Sequence, residues 1–277
     1  MERSNIFSIK RFGQVLMKEI KENGRSRMIS QLAIMGVFIG IFLWQGIQTY
    51  DDNALPSSHD LMWENIQYYY CFGVLIFGCA AASMFMSNMS TKGKRTQVLT
   101  TPASDLEKFM SRWLIYMLFY PFMFLVTLCV ADIIRVLTLS PFFGNDHLVA
   151  LFPLDMLWGS QYDGITMVEG PKEFFLLFGF YCIMTSIFAL GSSIWHKNAA
   201  AKTLLTFIAI LLIFLFLGYL LVEGIFTYKK DFGVGIYFRI NEGIGFYVSL
   251  IIEILLALGI NVLAYFRFKE SEIIERW

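Results

Sequence analysis

About six stretches of this chain are apolar and long enough to cross a bilayer, and they leave little over for a soluble core. A hydrocarbon core needs about 20 apolar residues in a helix. Runs of that order fall at residues 29–49, 68–89, 113–137, 174–194, 203–222 and 246–266. The reading is an all-α membrane protein with one six-span domain over residues 29–266. Its function belongs to transport, signalling or intramembrane chemistry. Charged residues are 16% of the chain, against about 25% in soluble domains, which fits. The four cysteines all lie within apolar runs and read as small packing residues, not as a disulfide framework or metal cluster.

Charge placement predicts orientation. Of the 22 Lys and Arg residues, 17 fall in the N-terminal segment, the second and fourth connections and the C-terminal tail (7, 5, 2 and 3 in turn). The positive-inside rule then puts both termini in the cytoplasm. The first outer loop carries Asp51, Asp52, Asp60 and Glu64 and no Lys or Arg. Ahead of span one, residues 4–23 read as an amphipathic helix ending at Gly24, within a cytoplasmic segment 1–28. Ile6, Ile9, Phe12, Leu16, Met17 and Ile20 cluster on one face, and Lys10, Arg11, Gln14, Lys18 and Lys21 fill the other. Such a helix lies in the interface as an anchor beside anionic headgroups, or meets a cytoplasmic partner.

The second connection is the most informative polar segment. Ser104 followed by Glu107 has the spacing of a capping box. Pro102 cannot continue a preceding helix, so a short helix at 96–99 should stop and a new one start at Ser104 and run into span three. Held between two spans, such a turn can receive a push and pass it on, or it is an ordinary loop. Pro121 is expected to bend span three by freeing a carbonyl one turn back. Asp132 and Arg135, three apart near the outer end of that span, are placed to pair locally. The outer segments 138–173 and 223–245 are long and rich in aromatics and glycine, and are expected to form a cap or a re-entrant dip. Glu253 is the one acid well inside a span. At a cost of about 2.5–3.5 kcal/mol at mid-membrane, it should face other helices, as a structural hydrogen bond or in a pathway.

No phosphate-binding GxxxxGK[ST] loop, HExxH or GxSxG occurs. The chain offers no catalytic centre, no metal site and no ATP site of its own, so it reads as a non-enzyme.

Residues 99–114 resemble the L-x-x-P-x-S-[RK]-x-E segment of six-span ABC-type export permeases, with Leu99, Pro102, Ser104 and Glu107 at the matching positions. Asp105 stands where that family often has a basic residue. The layout is also similar: an amphipathic N-terminal helix, six spans, a Gly-rich segment between spans five and six, and a charged tail at 267–277. The resemblance implies an export permease of a bacterial cytoplasmic membrane, with ATP bound by a separate ATPase subunit and a second permease copy or homologue as partner. It implies coupling through Leu99, Pro102, Ser104, Glu107 and Lys108, contact with membrane lipid and no nucleic-acid partner. Charge reversal at Glu107 or Lys108 would then uncouple ATP hydrolysis without unfolding the spans. The alternatives are an accessory or scaffolding membrane protein, and a proton-coupled transporter using Glu253.

Overall fold

The computed structural model describes residues 7–52, 59–87, 93, 96, 98, 100–144, 147–158, 168, 170–195, 198–226 and 242–273. Among them every regular element is helical. The elements are α1 (Ile9–Asp52), α2 (Trp63–Ser83), α3 (Asp105–Leu114), a π-helical segment (Ile115–Phe119), α4 (Tyr120–Phe143), a 3₁₀ turn (Leu154–Trp158), α5 (Pro171–Ile194), α6 (Ala199–Phe226) and α7 (Glu242–Ile273). Six helices have the length and apolarity to cross a membrane: Gly24–Asp51, Trp63–Ser83, Asp105–Phe143, Pro171–Ile194, Ala199–Leu217 and Gly245–Glu270. This is a multi-pass membrane protein.

The boundaries differ from expectation in instructive places. The break expected at Gly24 is absent, because α1 runs unbroken for 44 residues. At 1.5 Å per residue that is about 66 Å, twice the hydrocarbon thickness, so α1 extends well outside the bilayer. One interior glycine costs only about 1 kcal/mol relative to alanine, too little to stop a helix held along its length by other elements. The helix of span two starts at Trp63 and stops at Ser83, where Met84 and Phe85 turn back onto the carbonyls of Ala81 and Ala82. These tighter i→i−3 bonds satisfy two of the end carbonyls.

In the region where a bend is expected, span three carries a π-helical segment. The π-helical segment precedes Pro121, which has no N–H to offer the carbonyl of Met117. The hydroxyl of Tyr181, on α5, donates to that carbonyl at 3.1 Å. The Tyr181 ring reaches it across Gly78 of α2, where a Cβ would sit 2.5 Å from the ring.

At the end of the bundle opposite the N-terminus, the Asp132–Arg135 pair is present at 2.8 Å and forms part of a larger buried network. Arg135 Nη1 donates to Asp60 at 2.9 Å and to the Tyr50 hydroxyl at 2.6 Å, and Nη2 donates to the Ala150 carbonyl at 2.7 Å. Asp60 also accepts from the backbone amides of Met62 and Ala150, and Asp132 from that of Phe152. Phe152 and Met156 are buried against spans one to three, so within segment 138–173 residues 147–158 form a cap, whereas 138–143 and 171–173 belong to α4 and α5. Much of segment 223–245, and with it the re-entrant dip, lies outside the described residues.

Breaking this network should be expensive. Arg135→Met leaves two buried carboxylates short of donors and is expected to lower stability by about 3–5 kcal/mol. Arg135→Lys should recover only part, because an ammonium cannot reproduce the guanidinium fork. Unfolding of the detergent-extracted protein by heat or denaturant measures both.

Candidate functional site: the junction of α1, α3 and α7

The second connection is not an independent loop. It is one member of a three-way junction at the end of the bundle where both terminal segments meet. Ser104 caps α3 from an extended backbone conformation, and the reciprocal bonds of the capping box are both formed. The Glu107 amide donates to Ser104 Oγ at 3.3 Å, and the Ser104 amide donates to Glu107 Oε2 at 3.0 Å. The other oxygen of the same carboxylate accepts from the Ser8 amide at 2.6 Å and from Arg11 Nη2 at 3.2 Å. One buried carboxylate therefore fixes the start of α3 and the start of α1 together.

Further contacts repeat the pattern. Lys18 donates to Thr101 Oγ1 at 2.9 Å, and Arg112 Nε to Glu19 at 3.0 Å. The Arg112 guanidinium lies 5.6 Å from the centre of the Phe268 ring on α7, within cation–π range. Phe109 packs edge-on against Tyr265 of α7. Trp113 donates to Asn261 of α7, which in turn donates to Ser186 of α5. Farther along α1, Arg27 donates to the Tyr116 hydroxyl and Gln31 to Thr127. Movement of α3 would pull on α1, α4 and α7 at once.

The side chains of α3 are arranged with charge inward. Glu107, Lys108 and Arg112 are buried, whereas Leu106 and Met110 are 42% and 38% exposed. Pro102 and Thr100 are exposed too. The structure thus brings Pro102, Ser104, Glu107 and Lys108 into one turn. It gives Glu107 and Lys108 partners within the chain, Lys108 lying 4.0 Å from Asp105. Charge reversal at either position would therefore also disturb these contacts within the chain. Leu99 lies outside the described residues. Between α1 and residues 100–102 there is a cleft of about 320 Å³.

Glu253 stands apart. It is 15 residues from Phe268 on α7, about 22 Å along the helix. Its carboxylate packs into the notch left by Gly179 of α5, where a Cβ would overlap it. Its Oε2 has no hydrogen-bond partner among the described residues. No group of three or more potential metal-ligating side chains occurs among the described residues.

Sequence reasoning missed Arg11, Glu19 and Arg112 as members of the junction, and Asp60 and Tyr50 as partners of Arg135. Glu19 carried the one available signal: an acid within a strongly basic helix segment calls for a cation facing it.

No family model, curated protein or solved structure matches this chain.

The two faces of α3 predict opposite outcomes. Glu107→Gln removes the charge that three donors share and should cost about 1.5–3 kcal/mol. Leu106→Asp, on the exposed face, should stay within about 0.5 kcal/mol. Thermal unfolding of the two purified variants separates them.

Proposed function

We propose that this chain is the membrane subunit of an ATP-driven ABC-type exporter, worked by a separate ATPase and paired with a second copy or a homologue. The observation that carries this reading is the Glu107 joint. It makes a surface turn mechanically continuous with span one and span three, as a subunit without its own engine requires. In this reading the ATPase bears on the exposed positions Thr100, Pro102, Leu106 and Met110. ATP stays on the partner, and no cofactor is held here. The push reaches α1 through Ser8 and Arg11, and reaches α4 through the π-helical segment. Such segments recur at functional sites.

In this reading the chain sits in a bacterial cytoplasmic membrane with both termini inside; the excess of Lys and Arg at one end of the bundle supports that orientation. Two features leave room for a second copy beside lipid. Gly36 and Gly40 on α1 face open space, and residues 204–217 of α6 are exposed on almost every side. A lipid-like or apolar cargo is consistent with spans that carry so little charge.

The assembly should be isolated from native membranes in mild detergent. A nucleotide hydrolase is expected to accompany it, and Leu106→Asp should release that subunit while the thermal stability of the permease is unchanged. If the intact wild-type assembly never contains a hydrolase, the ATP-driven reading is wrong, and a scaffolding role or a proton-coupled transporter using Glu253 takes its place.

A further inference from the structure

The cleft between the start of α1 and residues 100–102 has a chemistry that the transport reading does not use. Arg11 and Lys18 line it from α1 with Gln14 between them, and Thr100 and Thr101 line it from the opposite side. Arg11 and Lys18 are seven residues apart, two helical turns, and so share one face. Among the described residues no carboxylate lines the cleft, although it lies beside the buried Glu107. The two cationic side chains are 31% and 38% exposed.

From this we infer that the cleft binds the phosphate group of a small organic phosphate or of an anionic lipid headgroup. A phosphate presents several anionic oxygens in a tetrahedral array. The cleft presents a guanidinium, an ammonium, two hydroxyls and an amide around one space. Arg11 can serve Glu107 and a phosphate together, because its planar fork carries five N–H donors. Lys18 donates to the Thr101 hydroxyl and lies 3.8 Å from the Glu22 carboxylate; an ammonium carries three donors, and a phosphate oxygen is an anionic acceptor for the one left over. Val15 and Pro102 supply apolar wall for the carbons of a glycerol-sized body. A volume of about 320 Å³ lies at the lower end of small-ligand sites. A bound phosphate would also sit against the guanidinium that holds Glu107, placing the ligand one residue from the cap of α3. None of this depends on the chain being a transporter.

Two sources of the same chemistry need separating. The full chain is reconstituted in nanodiscs of phosphatidylcholine and titrated with glycerol 3-phosphate by calorimetry at constant ionic strength. In parallel, its thermal unfolding is compared in discs with and without phosphatidylglycerol. Saturable glycerol 3-phosphate binding supports a soluble ligand. Stabilisation by phosphatidylglycerol alone supports a lipid headgroup. In either case Gln14→Glu, which puts a like charge in the cleft without touching the Glu107 joint, should weaken the effect about tenfold, as should Lys18→Gln. Gln14→Glu should unfold at the wild-type temperature in phosphatidylcholine alone, and Lys18→Gln, which also loses its bond to Thr101, is compared with its own unfolding temperature in those discs. The inference is overturned if neither probe acts, if both variants respond as the wild type does, or if chloride at equal ionic strength competes as well as phosphate.

Discussion

Hydrocarbon offers no hydrogen bonds, and most of the polar chemistry of this chain follows from that constraint. Any group that leaves the helical ladder must find a partner inside the protein. Pro121 supplies no N–H, and Tyr181 reaches across from another helix to the Met117 carbonyl. Asn261 satisfies Trp113 and Ser186 in one stroke. Arg135, fully buried, is surrounded by two carboxylates, a phenol and a carbonyl. Glu253 is one exception, with a carboxylate oxygen lacking a partner among the described residues in the notch at Gly179, and Gln45 and Thr203 each keep a buried oxygen in the same condition.

The same constraint gives the two ends of the bundle different characters. At the Arg135 end the charges are enclosed, the 147–158 cap lies over them, and the aromatic cluster of Phe38, Phe77 and Phe124 packs beneath. Buried ionic groups of this kind are costly to separate, so this end behaves as one piece. At the Glu107 end the joining bonds run between helices that also meet water. Lys18 and Arg11 are partly exposed, and a cleft separates the elements they bridge. Glu107, Glu19 and Arg112 are buried there, so only the Arg11 and Lys18 ends of these contacts are open to screening by salt.

The sequence made the short-range features legible. Six spans followed from apolar run length, the cap at Ser104 from a three-residue spacing, and the Asp132–Arg135 pair from helical periodicity. Each depends on residues close together in the chain. What escaped depends on distance in sequence. Asp60 is 75 residues from Arg135, and Ser8 is 99 from Glu107; no periodicity links them. Gly24 misled for a related reason: its local preference to end a helix is weaker than the long-range contacts that keep α1 straight through it.

The orientation of α3 shows how far a local rule can invert. By amphipathic logic Leu106 and Met110 belong inside, with Glu107, Lys108 and Arg112 outside. The reverse is found because the facing surface of α1 is itself charged. Arg11 and Glu19 meet Glu107 and Arg112 with opposite sign at each contact. If α1 ended at Gly24 and lay flat on the membrane, its first turns would be carried away from α3, and those inward charges would have nothing to meet. The continuous α1 and the inside-out α3 are thus one feature seen from two sides. Together they free an apolar pair, Leu106 and Met110, to face whatever lies beyond the chain.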